Sequence, residues 1–174
     1  MLFLLPTDTC YWLAWEFNEQ DYLEIYRLKG RDFNKLLAIL VENFDDMKKY
    51  IEISDEQIEF LRSYPHPWSF LGKRHTDFVL PLWMDSEKYQ MISIRVAQVC
   101  IPPIQLSSHT TNLLFPLFLT SANLSWMPES KTLAEARACF PSVEWIDGWV
   151  CSQPPSDIFS IGEDGELQYL RRNY

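Results

Sequence analysis

The length and spacing of the apolar runs constrain this chain more than any other feature. Leu2–Leu5, Leu36–Val41, Met91–Val96 and Leu117–Thr120 are each four to six residues long, a length that suits buried strands and is too short for buried helices. Helix signals fill the intervals. Asn18 reads as the cap of a helix running to Leu28, with Gly30 just past its end. Two further helices follow Val41, the second opening at Ser54 with Gln57 at capping-box spacing and stopping at Pro65–Pro67. Another strand is predicted over Asp77–Trp83. Within Met91–Val96, Ile92, Ile94 and Val96 alternate with Ser93 and Arg95, which puts Arg95 on a polar face. A loop bearing Pro102 and Pro103 leads to a short helix, and Thr132 with Glu135 opens a capping-box helix to Phe140. Val143–Ile146 reads as a short strand. After the Asp147-Gly148 turn, Asp157–Ile161 pairs with Leu167–Leu170 across a Glu-Asp-Gly turn. Strands alternating with helices predict an α/β fold with an open, mixed sheet, and 174 residues without repeats or linkers predict a single domain, 1–174.

Composition narrows the function classes. A net charge of −9 argues against a broad phosphate-binding face, because nonspecific nucleic-acid affinity comes from Lys and Arg displacing counterions. A local basic pocket is still compatible with it. Cys10, Cys100, Cys139 and Cys151 are scattered, with no Cys-x-x-Cys pair to suggest zinc or redox chemistry. They read as buried, reduced thiols. The MLFLL start lacks a basic leader, and no apolar stretch approaches the roughly 20 residues of a membrane span, so the reading is cytoplasmic with no membrane association. Seven Trp, eight Tyr and eleven Phe are a heavy aromatic load, much of which must be core.

Four stretches could carry chemistry, and each has a plainer explanation. RLKGR at 27–31 either offsets a helix dipole or, through Lys29 and Arg31 on either side of Gly30, clamps a polyphosphate. LTSANLS at 119–125 is either a self-bonded turn or a strand end presenting Ser121 and Asn123 to a ligand. The same ambiguity holds for PTDT at 6–9. Arg95 is either an ion-paired face residue or an anchor. His66, His75 and His109 show no metal spacing and no nucleophile pairing, so they receive no role.

Order adds what the single stretches lack. PTDTCYWLA, KGRDFNKLLAIL, PHPWSF, SIRVA, FLTSANLSW, IDGW, PSDIF and YLRR follow one another along the chain. This series resembles the threonylcarbamoyl-AMP synthase, or YrdC-like, family, whose order is PTDTVYGLA, KGRPFNKPLAIL, PGPLT, VRVP, ATSANLSG, DGG, PSTV and ILR. The resemblance implies a YrdC-like fold, a twisted mixed open sheet flanked by helices around one concave ligand cleft. It implies a nucleotidyltransferase that condenses L-threonine, bicarbonate and ATP to threonylcarbamoyl-adenylate and pyrophosphate, for tRNA adenosine modification with partner proteins. Lys29 and Arg31 would be catalytic and hold ATP phosphates, Ser121, Asn123, Ser156 and Arg171 would bind the nucleotide, and Thr9, Tyr11 and Arg95 would shape the threonine pocket. Magnesium would travel with the triphosphate, with no metal site in the protein. Double-stranded RNA binding, another family idea, fits poorly with the acidic balance.

Departures from the pattern suggest a remodelled pocket. Trp12, Trp126 and Trp149 each stand where the family has glycine, and tryptophan tolerates neither positive φ nor close backbone approach. Asp32 and Asp157 replace a proline and a threonine, which would bring carboxylates near a polyanion site. The short segment that usually precedes the first strand in the family is absent from this sequence. The alternative to an enzyme is therefore a non-catalytic nucleotide- or RNA-binding module of the same fold.

Overall fold

The computed structural model describes residues 1–30, 32–33, 35–101 and 113–174. Its elements run β1 (Leu2–Pro6), β2 (Tyr11–Glu16), α1 (Glu19–Lys29), β3 (Ala38–Val41), α2 (Phe44–Met47), α3 (Asp55–Ser63), β4 (Trp68–Lys73) and β5 (Met91–Val96). Then come α4 (Ala97–Cys100), β6 (Leu117–Ser121), α5 (Leu133–Cys139), β7 (Glu144–Trp145), β8 (Asp157–Ile161) and β9 (Leu167–Arg171). The strands form one sheet in the order β7-β1-β2-β6-β3-β5-β4-β8-β9. It is mixed: β1/β7, β3/β5 and β4/β8 are parallel, and the other neighbours are antiparallel.

The predicted caps are present. Asn18 accepts from Asp21 N at the start of α1, and Gly30 closes that helix in the left-handed region at φ 56°. Capping boxes open α3 at Ser54 and α5 at Thr132.

Period-two alternation divides the sheet into two faces. One face carries the large core, in which Leu13, Trp15, Ile39, Ile94, Phe118 and Phe159 meet buried residues of α1, α2, α3 and α5. The other carries a smaller cluster, Phe3, Leu5, Ala14, Ala38, Leu40 and Leu119, backed by Ala97 and Cys100 of α4. Much of the aromatic load stacks around Phe118, with Phe17 4.0 Å away and Trp15 5.5 Å away, centroid to centroid.

One expectation needs correction, and two strands were not anticipated. Asp77–Trp83 is not a strand, since Pro81 cannot donate to a ladder and β4 already lies between β5 and β8. The segment instead tucks Phe78, Leu80 and Trp83 against the core and leaves Val79 and Leu82 in solvent. Two strands arise in stretches to which the sequence reading gives no element. β2 begins within PTDTCYWLA and is buried on both faces, so it shows no polar alternation. β4 starts directly after the Pro65–Pro67 stop. The short helix expected after Pro103, along with Pro102 and His109, lies outside the described residues. Among the described residues no helix is long and apolar enough to cross a membrane.

Candidate functional site

Seven of the nine strands line a single cavity of about 410 Å3 on the face opposite the large core. β2 and β8 both border it although five strand steps separate them, about 24 Å in a flat sheet. The sheet must therefore curl, and the cavity is its concave side.

The turn joining β1 to β2 forms one rim. Thr7 donates from both its amide and its hydroxyl to Cys10 O, at 3.1 and 2.9 Å, which holds residues 7–10 as a compact loop with Thr9 facing the cavity. Behind it lies Arg95, 1% exposed, with Nη2 2.6 Å from Asp8 Oδ1 and Nη1 3.3 Å from Thr9 Oγ1. Burial acts against its charge, but the Asp8 carboxylate together with Cys100 and Cys10 outweighs that and lifts its pKa above the ordinary arginine value. Arg95 thus lies on the face predicted for it but braces the rim and is not among the residues lining the cavity.

A second cluster sits where α1 meets β6. The Lys29 ammonium, at the buried end of α1, meets the Ser121 carbonyl, Ser121 Oγ at 3.5 Å and Asn123 Oδ1 at 3.3 Å. Asn123 in turn donates to Leu124 O at 3.0 Å and Met127 O at 2.6 Å. A buried lysine needs such oxygens, because desolvation would otherwise penalise its charge. Only Ser121 of this trio reaches the cavity lining, and Lys29 and Asn123 lie behind it. Arg31 lies outside the described residues.

The third cluster closes the opposite end. Ser69 Oγ and Ser156 Oγ are 3.2 Å apart, while Arg171 donates from Nε to Ser156 O at 2.9 Å and from Nη2 to Ser156 Oγ at 3.2 Å. Ser156 and Arg171, paired in the sequence reading only by resemblance, are thus in direct contact.

Several predicted positions do not border the cavity. Tyr11 and Asp157 alternate with Trp12 and with Ser156 and Ile158, so both point to the opposite face. Asp157 is 1% exposed and accepts from Tyr64 Oη at 2.6 Å and Asn173 N at 2.7 Å, which removes it from the path of any bound anion. Trp149 packs on the smaller core and donates Nε1 to Thr7 O at 3.1 Å. Trp126 is 74% exposed beside Gly30, because a turn from Leu124 to Met127 swings it outward. Asp32 is exposed in the turn after α1, where its carbonyl accepts from Lys35 N. Of the three indoles, only Trp12 lines the cavity.

Two charged lining residues escaped the sequence reading, Lys35 and Glu129. Lys35 had a faint signal as the last polar residue before the Leu36–Val41 run. Glu129 had none, since its place depends on a bond from Tyr11 N to Ser130 O at 2.8 Å. Among the described residues no group of three His, Cys, Asp or Glu could hold a metal ion.

The thiols near the rim are held protonated. Burial pushes Cys10 and Cys100 up to about 12 and Cys151 up to about 11. Below pH 9 the folded and unfolded chains are both protonated at these sites, so the full contribution to stability is present there. Above pH 9 only the unfolded chain releases protons, and stability falls as pH rises toward 12. Both thiols act in the same direction, so their effects on stability add as pH rises. We expect unfolding in base before pH 12, followed by near-UV circular dichroism, with a flat stability profile from pH 7 to 9. A profile still flat at pH 11 would contradict this.

The structure is thus an α/β domain, a curled mixed sheet with most of its helices on the convex face and a hollow on the concave face, lined by Lys35, Arg171 and Glu129 among others. The chain belongs to the Sua5/YciO/YrdC family, whose model, described as telomere recombination, matches residues 1–173. It is 30% identical over 149 residues to the threonylcarbamoyl-AMP synthase of Klebsiella pneumoniae, an alignment covering 81% of this chain and 74% of that one. Its fold is similar to P. abyssi Sua5 complexed with L-threonine, with TM-score 0.69 at 22% identity, over 91% of this chain and 46% of that protein. It is also similar to HypF in a phosphate- and nucleotide-bound form, with TM-score 0.79 at 19% identity, over 98% of this chain and 26% of HypF. The chain thus spans about half of Sua5 and a quarter of HypF.

Proposed function

We propose that this chain is a threonylcarbamoyl-AMP synthase-like nucleotidyltransferase acting on L-threonine, bicarbonate and ATP in tRNA adenosine modification. The observation that carries this reading is the pairing of two polar clusters, Lys29–Ser121–Asn123 and Ser69–Ser156–Arg171, around one hollow. Family membership and the name of the Klebsiella relative support it.

In this reading the threonine nitrogen attacks the carbon of bicarbonate, giving a carbamate with loss of water. The carbamate oxygen then attacks the α-phosphorus of ATP, and the bond to pyrophosphate breaks. Such a reaction needs alignment and charge neutralisation more than a protein nucleophile. Ser121 Oγ, at 3.5 Å farther from the Lys29 ammonium than Asn123 Oδ1 and facing the cavity, is the partner a phosphate oxygen would replace. Arg171, fixed on Ser156, would offer its remaining donors to the ligand as a fork. Magnesium would be held by phosphate oxygens and water, since no protein cage is found among the described residues.

Trp12 supports a second reading, a module that binds a nucleotide without turnover, because its indole occupies space the family leaves to glycine. Pyrophosphate release from ATP separates the two. The enzyme reading predicts release only when threonine and bicarbonate are both present. Binding of ATP by folded protein with no release under any condition would select the module.

A further inference from the structure

The end of the cavity formed by β8 and β9 is held from outside by a residue that does not line it. Asn173, exposed and two positions beyond Arg171, bonds the stretch 155–157 through both its main chain and its side chain. Its amide N–H donates to Asp157 Oδ1 at 2.7 Å, and its Nδ2 donates to Pro155 O and to Ser156 O, each at 3.0 Å. The Ser156 carbonyl also accepts from Arg171 Nε at 2.9 Å, so Asn173 and Arg171 share one acceptor. Asp157 anchors the other side. Its second oxygen takes the Tyr64 hydroxyl at 2.6 Å, and that hydroxyl lies 3.2 Å from Tyr169 Oη. A carboxylate accepts two such bonds more strongly than the family's threonine hydroxyl could, which gives the departure at Asp157 a structural use.

We infer that Asn173 is a positioning residue for nucleotide binding: it fixes the Ser156 carbonyl and, through it, the direction in which Arg171 presents its guanidinium. A guanidinium is rigid and planar, so its two bonds, from Nε to Ser156 O and from Nη2 to Ser156 Oγ, set the plane of the whole group. Its remaining N–H groups meet no acceptor among the described residues, and Arg171 lines the cavity. Such a fork recognises a phosphate only where its position and plane are both right, and a shift of the Ser156 carbonyl would turn it as a unit. Without the Asn173 side chain, Asp157 keeps its bond to Tyr64, so the loss falls on the orientation of Arg171 and not on the fold. Taking the anion as ATP rests on the proposed reaction, whereas the coupling between Asn173 and Arg171 does not require turnover.

The test is calorimetric titration of the full chain with ATP and, separately, with L-threonine, for wild type, Asn173→Ala, Arg171→Met and the double variant. Asn173→Ala keeps the main-chain bond to Asp157 and removes both side-chain bonds. It should weaken ATP binding at least about fivefold and leave threonine affinity within about twofold. In the Arg171→Met background the same substitution should change ATP affinity less than about twofold, because the group it orients is gone. Thermal unfolding of each variant confirms that it folds. No ATP binding by wild type, unchanged ATP affinity in Asn173→Ala, equal losses for ATP and threonine, or an undiminished effect without Arg171 would each overturn the inference. The expected pattern in a protein that releases no pyrophosphate would refute the reaction and leave the positioning role standing. Threonine-dependent release in a protein whose Asn173→Ala variant binds ATP as wild type does would do the reverse.

Discussion

Replacing Arg95 with methionine should cost the fold about 3 kcal/mol, read from the urea midpoint. Removing one partner of a buried ion pair typically costs about 3–5 kcal/mol, because the remaining charge keeps its desolvation penalty without its counter-charge. Here the lower end applies, since Asp8 keeps 21% of its side chain exposed and can recover some hydration. The loss would not stay local. Arg95 also holds Thr9, and the Asp8 backbone joins two other segments, through Cys100 O at 2.9 Å and Gln153 N at 3.2 Å. The double variant with Asp8→Asn should therefore be less than additive, recovering part of the cost. A loss under 1 kcal/mol in Arg95→Met would show that the rim does not depend on this pair.

The second large effect is expected at Lys29. Lys29→Met removes the cation from the Ser121 and Asn123 oxygens and takes a donor from the buried Asn123 Oδ1. Pyrophosphate release should fall at least a hundredfold, about 3 kcal/mol of transition-state stabilisation, with weaker ATP binding as well. Lys29→Arg should not rescue it, because a planar fork does not fit a site shaped for a single compact ammonium. Full release by Lys29→Met would restrict this residue to tying α1 to the loop after β6.

The strands that sequence reading found are short, bounded apolar runs, or in one case a clean alternation. β5 alternates cleanly, and Arg95 falls on the concave side as its register requires. β2, with Tyr11, Leu13 and Trp15 on one face and Trp12 and Ala14 on the other, escaped because it follows the PTDT turn directly and that stretch was weighed as a ligand loop. Asp77–Trp83 misled because its aromatic and branched residues are there to pack on Phe17, Tyr22 and Tyr50, which a loop can do as well as a strand.

The same contrast holds at the site. Lys29, Ser121 and Asn123 converge because a helix end and a strand end meet, and both ends are marked by local residues, Gly30 and the Ser-Ala-Asn turn. Asp157 and Tyr11 were misplaced by one residue of strand phase, which motif matching does not specify. Glu129 was invisible for another reason. Its position depends on one backbone bond between segments more than a hundred residues apart.

A crystal structure of the chain soaked with a non-hydrolysable ATP analogue and L-threonine addresses the central claim directly. The account predicts triphosphate density against Ser121 and Arg171 on the concave face. Nucleotide density elsewhere on the molecule, with the hollow between these residues empty, would contradict it.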